Sequence, residues 1–260
     1  MTNDTTRQVV NVAALAATIA VNGLANALPL GGRTTGEISN QFPLAITPPG
    51  YVFGIWGVIY TGLTAFTVYQ ALPGQRTNPR LRRLGWLFTL SCAANVGWLL
   101  LWHYGFYRTT LVAMILLLLT LAVIVARLAG SGPASTRERW LVDGPFRVYL
   151  GWIAVATLVN ASVALYNAGW GGAGLNDATW TVILLGLGAA LAAWFGFGLG
   201  DPVLPAVVSW AFVGIALQQQ GSAPVAPAAW LAAVITVGAT LGGLFRNGPL
   251  STAASRSGAR

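Results

Sequence analysis

The chain contains no lysine, a single cysteine and a single histidine, and charged residues fill only 8% of its 260 positions. Soluble domains carry about 25% charged residues. A surface with so little charge cannot face water throughout. This excludes an ordinary cytosolic enzyme, a disordered chain and a nucleic-acid binder, and leaves an integral membrane protein. Cys92 stands alone in an apolar run, so no internal disulfide forms. No CxxC, HExxH or haem-attachment spacing occurs, and no metal site is expected. The lone His103, between Trp102 and Tyr104 at the end of an apolar run, reads as a polar anchor at the interface. There is no phosphate-binding glycine loop. The acids Asp4, Glu37, Glu138, Asp143, Asp177 and Asp201 all lie outside the apolar runs, so neither hydrolytic chemistry nor ion-coupled pumping is expected.

What the chain has is apolar length: 55% of it is hydrophobic. Eight runs read as spans, near Val9–Leu28, Tyr51–Leu72, Leu84–Tyr104, Thr109–Leu128, Val148–Ala168, Ala178–Leu199, Val203–Leu217 and Pro227–Phe245, the seventh being short. Pro73-Gly74, Gly130 to Pro133, Gly169 to Gly172 and Gly200-Asp201-Pro202 punctuate them, since proline cannot continue a helix and glycine permits the turn. Ala25-Asn26-Ala27 resembles a signal-cleavage site, but Asn11 and Asn22 interrupt the run before it, and an uncleaved first helix is expected.

With eight spans, one side of the membrane receives Arg7, Arg76, Arg80, Arg82, Arg83, Arg127, Arg137, Arg139, Arg147, Arg246, Arg256 and Arg260. The other receives only Arg33 and Arg108. Basic residues accumulate on the cytoplasmic side, so both termini are expected there, in the cell's inner membrane. The basic loops are expected to touch anionic lipid. The loop from Pro29 to Gly50 is long enough to fold over the outer mouth, and Thr34-Thr35-Gly36-Glu37 has the spacing that caps a short helix.

Tryptophan is abundant, with 11 residues. An interfacial belt accounts for Trp170, Trp180, Trp230 and Trp102. Trp56, Trp98 and Trp152 lie inside their spans instead. Phe53, Trp56 and Tyr60 share one helix face, as do Asn95, Trp98 and Trp102, and Tyr149, Trp152, Ala156 and Asn160. Asn22 and Asn26 do the same on the first span. An amide facing lipid lacks partners, so these faces should turn inward. Aromatic faces with a few amides suit a pocket for a flat, mostly apolar ligand. The same residues could equally be core packing and interhelical hydrogen bonds. The spacings Gly50-x-x-x-Gly54 and Gly238-x-x-x-Gly242 permit close helix contact.

Thr47-Pro48-Pro49-Gly50-Tyr51-Val52-Phe53, followed by Ile55-Trp56 and Tyr60, resembles the second-helix signature of the TspO/MBR family, the tryptophan-rich sensory and translocator proteins. Asn95-x-x-Trp98 is similar to that family's third helix, and Trp152 with Ala156, Thr157 and Asn160 to its fifth. The resemblance covers about residues 8–168. The family's proline before the fifth-helix tryptophan is displaced to Pro145, and the first loop reads Phe42-Pro43-Leu44-Ala45-Ile46 without a tryptophan. The resemblance implies a five-helix bundle with an internal pocket, porphyrin as a possible ligand, sterols or aromatic drugs in some members, and light-dependent porphyrin breakdown in others.

The expected fold is an all-α polytopic membrane bundle of about eight transmembrane helices. Residues 1–168 would form the TspO-like core and 169–260 a three-helix extension. The expected function is binding of a tetrapyrrole or similar hydrophobic ligand by Phe53, Trp56, Tyr60, Asn95, Trp98, Trp152, Ala156 and Asn160, with Pro48, Pro49 and Gly50 as a loop gate. The alternatives are a facilitator of a small hydrophobic molecule and a light-dependent porphyrin-degrading enzyme. The resemblance and the glycine faces also allow a homodimer.

Overall fold

Each of the eight apolar runs forms a helix in a computed structural model of the protein, which describes residues 2–28 and 30–247. They are α1 (Thr2–Ala27), α2 (Ile55–Ala71), α3 (Leu87–His103), α4 (Tyr107–Ala129), α5 (Gly144–Asn167), α6 (Asp177–Ala193), α7 (Val203–Gln218) and α8 (Val225–Asn247). No strand occurs among the described residues. Pro29, Arg256 and Arg260 lie outside them.

Six helical stretches are long and apolar enough to cross a membrane: Asp4–Ala27, Gly50–Ala71, Tyr107–Ala129, Thr136–Asn167, Asp177–Gly198 and Val225–Arg246. The helices α3 and α7 are apolar but have 17 and 16 residues. At about 1.5 Å per residue they reach roughly 25 Å, against a hydrocarbon core of about 30 Å.

The fifth run begins earlier than its hydropathy suggests. A helical turn at Thr136–Glu138 and a wide turn at Arg139–Asp143 precede α5. Pro145 has no N–H for the ladder and its ring crowds the carbonyl four residues back. The helix accommodates this by widening, with the Gly144 N–H reaching the Arg139 carbonyl. Ser135 and Glu138 close a capping box at the start of this stretch. In the first loop Thr34 and Glu37 make the other one, and the short helix Thr35–Asn40 follows as the Thr-x-x-Glu spacing predicts.

Contacts divide the chain into two compact units. The first holds the chain up to Pro43 and from Phe53 to Trp170. The second holds Leu44–Val52 and the chain from Gly171 onward. In the first unit α1 packs on α2, α2 on α5, α5 on α4, α4 on α3, and α3 back on α1. The five helices therefore close into a ring, and α2, α3 and α5 are not all neighbours. Gly62 lets α2 approach α5, because a Cβ there would lie 3.2 Å from Pro145 Cβ.

Buried amides tie this ring together near its Arg-rich end. Gln8 Nε2 donates to the Gln70 carbonyl at 2.6 Å and Gln70 Nε2 returns a bond to the Gln8 carbonyl at 3.1 Å. Thr89 Oγ1 donates to Asn11 Oδ1 at 2.9 Å, so α1, α2 and α3 share one polar seam. The arginines segregate by end within the unit. Arg82 pairs with Asp4, Arg7 donates to the Arg76 carbonyl, Arg83 to the Gly130 carbonyl and Arg127 to the Arg83 carbonyl. At the opposite helix ends, Arg33 meets Gln41 and Arg108 the Asn167 carbonyl.

In the second unit α8 packs on both α6 and α7. Glycine makes the approach to α8 close in the wide helical turn Trp194–Gly198 that continues α6: a Cβ on Gly196 would lie 2.2 Å from the Ala239 carbonyl oxygen, and one on Gly242 2.5 Å from the Phe197 ring. The Gly242 end of the Gly238-x-x-x-Gly242 spacing is thus used inside this unit. The Gly50-x-x-x-Gly54 spacing makes no such contact, since both glycines are exposed and a Cβ on either would meet nothing within 4 Å.

Candidate functional site

Aromatic side chains of α2 and α5 meet one from α3, which packs on neither, inside the five-helix ring. Trp56 on α2 stacks on Tyr60 of its own helix, with centroids 5.5 Å apart, and on Trp98 of α3 at 6.4 Å. Tyr149 and Trp152 of α5 present their edges to Trp56 at 6.0 and 6.2 Å. Phe53 meets Trp152 edge-on at 5.7 Å. The i, i+4 spacing on α2 puts Trp56 and Tyr60 on one stripe, Phe53 joins them from the 3-10 turn Gly50–Gly54 that leads into the helix, and the ring closure turns that stripe inward.

A chain of amides fixes the floor of this cluster. Asn22 Nδ2 donates to Asn95 Oδ1 at 2.9 Å, and Asn95 Nδ2 donates to the Tyr149 hydroxyl at 2.8 Å. Asn95 is fully buried. Asn22 also donates to the Thr18 carbonyl one turn back. These bonds link α1, α3 and α5 and set the tilt of Tyr149 beside Trp56. Asn26 departs from the expected inward face: it is exposed, and its amide donates to the Asn22 carbonyl at 2.9 Å. Bonding within its own helix near the chain end satisfies the group without turning it inward.

Two polar atoms in the cluster, Trp98 Nε1 and Trp152 Nε1, are buried without a hydrogen-bond partner, and the buried Tyr60 hydroxyl has only the Asn95 side chain beside it. An indole N–H can only donate, and a buried unpaired donor costs about 1–3 kcal/mol. Such groups mark either strain or the seat of an absent partner.

The stack continues past the expected residues. Trp98 stacks on Trp102 at 5.7 Å, Trp102 meets Tyr107 edge-on at 5.4 Å, and Tyr107 meets Phe42 at 5.0 Å. Trp102 is therefore not part of an interfacial belt; it is 3% exposed. The short loop helix packs on α3 and covers it, and its Nε1 donates to the Thr35 carbonyl at 3.2 Å. His103 is likewise buried rather than an interfacial anchor. Its ring nitrogens lie 3.1 Å from Thr35 Oγ1 and 3.0 Å from the Leu30 carbonyl, so it fastens the loop to α3. Periodicity marked Trp102 as sharing the Trp98 stripe, but Phe42, in a loop, gave no periodic signal.

Other expected site residues lie elsewhere. Asn160 is buried on α5 and donates to Thr110 Oγ1 of α4 at 2.9 Å, leaving its Oδ1 unpaired. It shares no bond with the Asn22–Asn95–Tyr149 chain. Ala156 is half-buried one turn from Trp152. Pro48, Pro49 and Gly50 belong to the second unit, where Pro48 is buried, Pro49 half-buried and Gly50 exposed.

At the Arg-rich end, Arg80 is buried. It pairs with Asp143 at 2.7 Å, lies 3.8 Å from Glu138 and donates to the Gly132 carbonyl at 2.7 Å. This ion cluster pins the α2–α3 connection to the start of α5. Among the described residues no group of three or more His, Cys, Asp or Glu could hold a metal ion.

A sequence model of a family described as TSPO-like protein matches residues 8–242. No curated protein and no solved structure matches the chain.

Proposed function

This chain belongs to the TSPO-like family, and from that premise we propose that it binds a flat, largely apolar ligand of the tetrapyrrole class inside the five-helix unit. The observation that carries the reading is the pair of unpaired donors, Trp98 Nε1 and Trp152 Nε1, around the Trp56 ring. A ligand with acceptors along its edge satisfies these donors, while its face stacks on the indoles. Trp56, Trp98 and Trp152 supply the aromatic surface, and Phe53 buttresses Trp152. Asn95 acts through Tyr149, whose ring it holds beside Trp56. In this reading the protein sits in the inner membrane with its arginine-rich end in the cytoplasm.

The test is a titration of the detergent-purified protein with protoporphyrin, followed by tryptophan quenching. Saturation near one ligand per chain is expected. Trp98→Phe and Trp152→Phe keep the ring and remove the donor, and each should weaken binding about five- to tenfold, the value of one buried hydrogen bond. Linear quenching without saturation, in the wild type, would sink the proposal.

A further inference from the structure

The segment Leu44–Val52 makes its contacts in the three-helix unit, although the chain on both sides of it belongs to the five-helix unit. Its hold is specific. Trp210 Nε1 on α7 donates to the Val52 carbonyl at 3.1 Å, and the Trp210 ring meets Tyr51 edge-on at 5.6 Å. One turn further along α7, Gly214 forms the seat: a Cβ there would lie 2.4 Å from Val52 Cγ2 and 3.4 Å from Pro49 Cδ. Val52 has no exposed surface and Ile46 almost none. At the other end of the segment, Asp177 at the start of α6 accepts the Ala45 N–H at 2.8 Å.

The segment has little structure of its own to hold it. Pro48 and Pro49 have no N–H to give, a turn bond runs from Thr47 to Leu44, and only from Gly50 does the chain wind into a short 3-10 helix, Gly50–Gly54, that leads into α2. The carbonyl held by Trp210 belongs to the peptide group that joins Val52 to Phe53, and that group is a rigid plane. Fixing it fixes the entry of Phe53, whose ring lies against Trp152, and the approach to Trp56 three residues on.

We propose that Asp177, Trp210 and Gly214 are positioning residues, through which the three C-terminal helices hold the Leu44–Val52 strap and so set the Phe53–Trp56 face. That this face receives ligand rests on the function proposed above; the hold on the strap does not. The extension thus serves the binding unit through the continuity of the chain.

The experiment uses the full-length protein in nanodiscs and two variants, Trp210→Phe, which keeps a ring for Tyr51 but removes the donor, and Gly214→Val, which fills the seat. Amide exchange is read first, without ligand. Exchange of residues 44–52 should rise about fivefold or more in both variants, with α3, α4 and α8 unchanged. The rise should extend into Trp56–Tyr60. Unchanged exchange in the strap of both variants would overturn the hold, and a rise confined to 44–52 would overturn the positioning role. Protoporphyrin dissociation is read second and should quicken in both variants. A wild type that never saturates refutes ligand binding and leaves the exchange result to decide the strap. Saturable binding whose dissociation matches wild type in both variants overturns the link between strap and site.

Discussion

Asn95 is the residue whose loss should do most to the aromatic cluster without touching a ring. It is fully buried, accepts from Asn22 at 2.9 Å and donates to Tyr149 at 2.8 Å. Asn95→Ala removes both bonds. Asn22 keeps its bond to the Thr18 carbonyl, so it is only partly stranded, whereas no other bond holds the Tyr149 hydroxyl among the described residues. Side-chain hydrogen bonds inside membrane proteins average about 0.6 kcal/mol and reach about 1.7. Two of them give about 1–3 kcal/mol, with the Tyr149 bond toward the upper end. The assay is reversible unfolding in mixed micelles, followed by helical circular dichroism. A double-mutant cycle with Tyr149→Phe isolates the pair and should return a coupling of about 0.5–1.5 kcal/mol. Tyr149 would also be freed to leave the edge of Trp56, so porphyrin binding should weaken in Asn95→Ala more than stability alone requires. A coupling near zero, with Asn95→Ala no less stable than wild type, would refute the reasoning that these amides organise the interior.

Two further predictions concern the ends of the bundle. Arg80→Ala removes the direct ion pair of the buried Asp143 carboxylate, leaving it only the Arg147 charge, and cuts the tie to Gly132; it should cost about 3 kcal/mol in the same unfolding assay, with Arg80→Lys recovering part of it. In the outer loop, the Thr34 backbone N–H and hydroxyl hold the Glu37 carboxyl below the ordinary glutamate value. A depressed value stabilises the folded loop above the unfolded pKa, and the contribution is lost as pH falls through the folded one. Amide exchange over Thr35–Asn40, corrected for its intrinsic pH dependence, should therefore show less protection in acid than at neutral pH, and Glu37→Gln should abolish that difference.

The parts of this structure legible in the sequence are those written by short periods. The eight helices follow from apolar length, and the inward face of α2 from Phe53, Trp56 and Tyr60 recurring at the helical repeat. Asn95 and Trp98 point inward for the same reason, because an amide in hydrocarbon must find a partner. The same rule misplaces Asn26, where the partner lies four residues back on its own helix and the chain end is near. Trp102 escapes the belt assignment because a belt tryptophan and a covered one look alike along a single helix. Only the loop helix laid over α3 separates them, and that is a packing fact.

Least legible is the strap, and the reason is sequence distance. Thr47-Pro48-Pro49-Gly50 reads locally as the approach to a helix, and nothing within ten residues identifies what holds it. Its partners stand 132 residues away at Asp177 and 158 residues away at Trp210. Glycine at 214 looks like one more small residue in an apolar helix, yet it is the only residue type that leaves room for Val52 there. The five-helix ring closes through its own contacts. The three C-terminal helices therefore bear on the ring through the stretch of chain they bind, Leu44–Val52.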